Sequence, residues 1–450
     1  MTKSILKRTT AALLLSAMAV PALAEDVTIT VWAGGSNDAD AYRIDAIEIA
    51  ADMLEREAAI EGRELNITVE GKRDFGGWEE FKQGVTLAAE AGTAPNIVVT
   101  SHLDIAPWSQ AGYIVPAEDY LDFDAWPLND LYPNLLEIAA YNGIQWGLPQ
   151  DAESRPFFFW KDTMRGIGYS DDDIAALPEK VAAGEYTLQN VLEDAKKAVD
   201  AGLVEEGYGF YPRPSNGPDW GQFYQSFGGV LQDPETGKLL LDKAAMEGFY
   251  QFFADAVEAG ITRKNHLGTD WGQWYTEVAN GKAATWHGGT WHYARYTGKE
   301  GNEDFFGTIE FSLIPAGDEG GRANTITHPL VYLITDQEND DHEEIAAQLV
   351  KIASEPRLNS LHAIKSAHLG IGQQQANIEL YANDRWASEA TERLLISANA
   401  QPNNLDYGAY SEAMFKGLEA AWTGVKTPAE AVAELEAELT AKLGDNLIVQ

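Results

Sequence analysis

The stretch Trp286-His287-Gly288-Gly289-Thr290-Trp291 brings together residues suited to holding a small molecule. Adjacent glycines let a backbone approach a ligand and expose its N–H groups, and an indole stands on either side. His287 and His292 are five apart, not the i, i+4 spacing of a helical zinc pair, so no metal and no cofactor is expected. The 13 tryptophans extend the theme. Trp32, Trp108, Trp220, Trp271, Trp274, Trp286 and Trp291 are read as loop residues among Gly, Pro and Asn. Indoles in a concave site stack on the C–H faces of sugar rings, while planar polar groups take the hydroxyls. Asn37, Asp38, Asp151, Arg155 and His287 have suitable chemistry for the second task.

Catalytic constellations find little support. Asp151 and Glu153 precede Arg155 and are the nearest thing to a glycosidase pair. They are read as pointing to opposite faces of an extended segment, unable to flank one bond. No G-x-S-x-G elbow, no G-x-x-x-x-G-K-[ST] and no G-x-G-x-x-G after the first strand is present. The expectation is a binding protein, not an enzyme.

The elements that would position these residues have a doubly wound grammar. Val27, Ile29 and Val31 alternate with Thr28 and Thr30 as a strand. A helix with Ile44, Ile47, Ala51 and Leu54 on one face follows, then a strand over Leu65–Val69. Phe81–Ala91 reads as helix and Asn96–Val99 as a buried strand. Strand and helix in alternation predict an α/β fold with a mainly parallel sheet, whose ligands sit beyond the carboxyl ends of the strands. That puts the loops Gly34–Asp38 and Ser101–Asp104 on one rim. Further along, helices are predicted over Thr187–Val199 and Leu241–Ala259, and a strand over Val331–Thr335. Thr427, Pro428 and Glu430 signal the start of the last helix, with Val432, Leu435 and Leu439 on its buried face.

Residues 1–24 read as an export signal: Lys3, Lys7 and Arg8, an apolar core from Ala11 to Val20, and the cleavage pattern Ala22-Leu23-Ala24. The chain of 450 residues contains no cysteine, which excludes disulfides, thiolate metal sites and a lipid anchor at the cleavage point. With 32 Lys+Arg against 70 Asp+Glu, the net charge of −38 argues against nucleic acid or anionic membrane as partners. The acids spread along the chain, which fits solubility or a saline habitat better than ligand attraction.

Short patterns in a fixed order add a family resemblance over nearly the whole mature chain. They include Ile29–Trp32, Pro95–Val99, Ala111–Tyr120, Gly147-Leu148-Pro149 through Phe157–Asp162, and Gly281–Ala284 before Gly288, Gly289 and Trp291. Pro315–Gly317 followed by His328–Leu330, and Thr423-Gly424 with Ala429, complete the series. Together they resemble the family 1 extracellular solute-binding proteins, the periplasmic receptors of carbohydrate importers of the ATP-binding-cassette type. The chain departs from the usual Gly-Pro-Trp pattern at Gly289-Thr290-Trp291 and from the usual hinge tyrosines at Phe157–Trp160.

The resemblance implies a two-lobed periplasmic-binding-protein fold, type II-like, with doubly wound sheets, interleaved lobes and a hinge. One lobe would take 25–150 and 329–368, the other 151–328 and 369–450. A sugar, oligosaccharide or polyol would bind between them, and the closed monomer would dock on membrane permease subunits in a Gram-negative periplasm. Expected ligand-binding residues are Trp32, Asn37, Asp38, Ser101, His102, Asp151, Arg155, Trp220, Tyr224, His287, Gly289, Trp291 and His328. Two alternatives stand beside this: a receptor of the same fold for a cationic amine such as a polyamine or betaine, and a secreted glycoside-active enzyme.

Overall fold

The computed structural model describes residues 25–35, 38–318, 320–337, 340–395 and 398–450. The export signal and Asn37 lie outside the described residues, as does the side chain of Asp38.

A five-stranded sheet organises the first part of the chain, in the order Leu65–Lys72, Glu25–Ala33, Ile97–Ser101, Leu330–Ile334, Gly147–Pro149. The first three strands are parallel, with Val27 opposite Ile67 and Ala33 opposite Val99. Leu330–Ile334 runs antiparallel to both of its neighbours because it arrives from the far end of the molecule. Ile97–Ser101 is buried along its whole length, which explains why it reads as an unbroken β-branched run. The helix Tyr42–Ile60 covers one face, burying Ile44, Ile47, Ala51 and Leu54 as its periodicity requires.

A second, smaller sheet is antiparallel: Ile309–Ser312, Phe157–Trp160, Thr285–His287. The expectation of doubly wound sheets throughout is corrected here. Phe157, Phe158 and Phe159 are buried on both faces, so no period-2 pattern marks them as strand. Around this sheet lie the helices Leu188–Asp200, Lys243–Glu258, Tyr407–Trp422 and Pro428–Leu443. The expected capping box of the last helix is formed: Glu430 N–H donates to Thr427 Oγ1 at 3.3 Å, and Thr427 N–H donates to Glu430 Oε2 at 2.9 Å.

Two stretches of chain connect the two sheets, 150–156 and 313–329, and a third around Leu369 runs beside the first. Ala152 and Leu369 exchange backbone hydrogen bonds of 3.0 and 2.7 Å. Ser154 bridges Thr327, and Arg155 N–H donates to Thr325 Oγ1 at 2.9 Å. Gln150 N–H donates to Leu330 O at 2.8 Å, and Leu330 N–H returns to Asp151 Oδ1 at 3.1 Å.

Candidate functional site

The first of these stretches, Gln150–Arg155, carries three ionic side chains at alternate positions: Asp151, Glu153 and Arg155. Alternation puts residues two apart on the same face, so the reading that Asp151 and Glu153 diverge is corrected. Both carboxylates approach His368, Glu153 Oε1 at 3.0 Å and Asp151 Oδ2 at 3.7 Å from Nε2. Glu153 Oε2 accepts from Arg155 at 2.9 Å. Burial pushes the Glu153 carboxyl up, but the Arg155 guanidinium and the His368 ring together hold it well below the usual range. A general acid needs a raised pKa, so Glu153 cannot serve as one at neutral pH.

Arg155 also forms an ion pair with Asp219 Oδ1 at 3.0 Å, and Arg213 pairs with the other Asp219 oxygen. Burial alone would raise Asp219, yet the two guanidiniums keep it below its ordinary value. Both arginines converge on Trp291, with guanidinium carbons 4.2 Å (Arg155) and 5.6 Å (Arg213) from its ring centroid. Arg213 also lies 4.8 Å over Trp271, and the His368 ring stacks on Trp291 at 6.2 Å and 14°. Trp291 and Trp271 are partly exposed, unlike the charges beneath them. Gly289 makes this arrangement possible, since a Cβ there would lie 2.0 Å from the Trp291 ring.

The first sheet contributes Ser101 and His102 from the carboxyl end of Ile97–Ser101. Ser101 Oγ accepts from Leu103 N–H at 3.2 Å and shares a 3.1 Å hydrogen bond with His328 Nε2. His328 Nδ1 meets Gln401 Oε1 at 2.7 Å, and the His102 ring packs edge-on against His328 at 4.8 Å. Ser101, His328 and Gln401 have the connectivity of nucleophile, base and orienter, but burial pushes His328 down to about 4. A base that weak does not usefully deprotonate a serine at neutral pH. Buried His102 has the Pro329 and Gln401 backbones as its polar neighbours, and burial pushes its ring well below its ordinary value.

Near the same strand ends, Trp32 tilts on Phe75 at 5.2 Å, and the Lys72 ammonium lies 4.6 and 4.3 Å from these two rings. Trp78 stands beside them, 38% exposed. A surface recess of about 570 Å³ lies elsewhere, beside Glu55, Arg56 and Leu65 at the opposite end of the strands, and no aromatic lines it.

The other expected site residues are placed differently. Trp220 is fully buried on Phe253, Phe415 and Trp422, with its indole N–H donating to Ser215 O. Tyr224 is sealed beside it and accepts from Asp242 N–H at 2.8 Å. His287 is buried against Trp220 and Phe223 and accepts from Arg213 N–H at 3.1 Å, steadying the arginine from behind. Asp151 lies within the molecule, facing His362 and His368. Of the tryptophans read as loop residues only Trp291 lies in a turn: Trp108, Trp220, Trp271 and Trp274 are helical, Trp32 and Trp286 lie in strands, and Trp108, Trp274 and Trp286 are buried. Trp271, read only as one of the loop indoles, joins the cluster, as do Glu153, Arg213, Asp219, His368 and Gln401, which were not singled out as ligand residues. Only Arg213, alone between Pro212 and Pro214, carried a local signal.

Comparison with known proteins agrees with this architecture. The family model for bacterial extracellular solute-binding protein matches residues 57–356. Among solved structures, maltose-bound MalE3 of T. maritima is 18% identical, with a TM-score of 0.73 over 92% of this chain and 100% of that one. The sugar-binding protein MalE from Xanthomonas citri is 17% identical, with a TM-score of 0.73 over 92% and 98%. An ABC transporter solute-binding protein from Thermotoga lettingae, bound with alpha-D-tagatose, is 18% identical, with a TM-score of 0.68 over 93% and 100%.

Proposed function

The chain belongs to the bacterial extracellular solute-binding protein family, and from that premise we propose that it captures an uncharged sugar, oligosaccharide or polyol for an ABC importer. The observation that carries the choice of solute is the charge balance around Trp291. Arg155 and Arg213 are matched there by Glu153 and Asp219. A neutral guest leaves that balance intact, and Trp291 offers it a stacking face. Ser101, His102, His328 and Gln401 supply donors and acceptors for hydroxyls from the other side of the crossing stretches.

The lobes of this reading are 25–150 with 329–368, and 151–328 with 369–450. The paired backbones at Ala152–Leu369 and Ser154–Thr327 would form the hinge. A solute touching both lobes only when they are shut shifts the population toward the closed state, which the permease then engages. Neighbouring structures that carry maltose or tagatose support the class of guest. No helix among the described residues is long and apolar enough to cross a membrane. Residues 1–24 fit delivery of the monomer to a Gram-negative periplasm.

Polyamines and betaines suit the site less well, because Arg155 and Arg213 beside the Trp291 ring would repel a further cation there. Calorimetric titration with neutral mono- and oligosaccharides beside polyamines and betaines tests the choice. One-to-one binding of a saccharide is expected. Binding of an amine alone would reverse the assignment.

A further inference from the structure

Behind the solute-facing belt, the helix Pro356–Ser366 ends at Ala367, whose φ of 55° turns the chain back on itself. The turn sets His368 beside His362, six residues earlier, with ring centroids 6.1 Å apart. Asp151, from the first crossing stretch, reaches toward both rings, and its Oδ2 lies 3.7 Å from Nε2 of each. One ring nitrogen of each histidine and one Asp151 oxygen all lie within 4.8 Å of one another. All three side chains are sealed from solvent: the residues are 0% (Asp151), 3% (His362) and 3% (His368) exposed.

A wholly buried carboxylate oxygen is costly unless a donor or a cation meets it. Asp151 Oδ1 has its donor in Leu330 N–H, but Oδ2 has only the two imidazoles, at 3.7 Å, and no donor at full hydrogen-bond distance. The Nδ1 atoms of His362 and His368 and the Oε1 of neighbouring Gln150 likewise have no hydrogen-bond partner among the described residues. Four such atoms in one buried patch, the Asp151 oxygen among them, are more than hydrogen bonding alone usually leaves.

We propose that Asp151, His362 and His368 form a site for a divalent first-row transition ion such as Zn²⁺. Two imidazoles and a carboxylate are a donor set this class of ion prefers over Mg²⁺ or Ca²⁺. Bonds of about 2.0–2.2 Å in tetrahedral array separate donor atoms by roughly 3.4 Å, so the two 3.7 Å pairs contract slightly while the two imidazole nitrogens, within 4.8 Å of each other, draw together around the ion. Glu153 Oε1, 3.0 Å from His368 Nε2, supplies the fourth donor. Gln150 Nε2, now 2.8 Å from His362 Nε2, swings aside as the ion enters. The ion would tie the first crossing stretch to the third, where Ala152 and Leu369 already pair. This site shares Glu153 and His368 with the solute-facing belt, but its test, read with metal alone, does not depend on the identity of the solute.

The test uses the full chain stripped of metal by a chelator and titrated with Co²⁺ alone, then with Zn²⁺. One Co²⁺ per chain is expected, with the strong visible absorption of a four-coordinate ion, displaced by Zn²⁺. Asp151→Asn, His362→Gln and His368→Gln should each weaken binding by about 100-fold or more with unchanged circular dichroism. Ring-nitrogen NMR of the unaltered chain needs no variant: two of its eight histidines should shift together on Zn²⁺ addition. Weak multi-site absorption of the six-coordinate kind that surface carboxylates give would overturn the site. So would undiminished binding in folded variants, or Zn²⁺ addition that leaves every histidine ring unmoved.

Discussion

The Arg155 guanidinium stands 4.2 Å over the centroid of the Trp291 indole, held there by Glu153 on one side and Asp219 on the other. The partly exposed indole is thus positioned by charges that are themselves buried. Binding and stability should therefore separate according to which member of the group is changed.

Trp291→Ala removes the stacking face but little of the core, since Trp291 is partly exposed. An aromatic stack of about 1–3 kcal/mol corresponds to a loss in solute affinity of roughly 5- to 150-fold. Titration calorimetry beside thermal melting should show that loss with a melting temperature within a few degrees of the parent.

Gly289→Ala should imitate Trp291→Ala. The added methyl would meet the indole at 2.0 Å and must drive it out of its position over Arg155. Affinity should fall while the far-UV spectrum stays unchanged. Parent affinity in this variant would show that the position of Trp291 does not matter.

Arg155→Met leaves Glu153 and Asp219 buried with half of their compensation gone. Removing one partner of such a pair costs about 3–5 kcal/mol. Urea denaturation should show a midpoint well below the parent's, partly restored when Asp219→Asn is added. Additive effects of the two changes would mean that the pair is not coupled.

Trp220→Ala should behave in the opposite way to Trp291→Ala. Its ring is 0% exposed, and truncating a buried aromatic costs about 3–5 kcal/mol. The folded fraction should still bind solute with nearly parent affinity.

Acid should destabilise the fold through its neutral histidines. Burial pushes His287 down to about 3, and His266 and His328 down to about 4. These folded values lie below the unfolded value near 6.5, so the unfolded chain binds more protons as pH falls. The stabilisation is complete above about pH 6.5 and is lost progressively below it, at up to about 1.4 kcal/mol per pH unit per histidine. Urea midpoints between pH 7.5 and 5 should fall steadily, and His287→Gln should make the decline shallower.

Much of the first sheet was legible because its opening strand and the helix after it have one buried face each. Val27, Ile29 and Val31 alternate, and Ile44, Ile47, Ala51 and Leu54 recur at helical spacing. The second sheet was not legible, because Phe157–Phe159 are buried on both sides and carry no alternation. Tryptophan count was a poor guide to the site for a related reason. Trp220, Trp274 and Trp286 sit among Gly and polar residues in sequence yet pack inside. Glu153, Asp219 and His368 join through contacts spanning 64 to 215 residues, which no local spacing encodes. Asp151 has suitable chemistry for a ligand residue, and only the fold shows that it faces inward, toward His362 and His368.

Native mass spectrometry of the protein purified from its own host tests the uncharged-solute claim most directly. The chain should carry one adduct with the mass of a neutral carbohydrate or polyol, and Trp291→Ala should lose it. A cationic amine as the adduct, or a carbohydrate that Trp291→Ala retains in full, would contradict a neutral guest held against that indole.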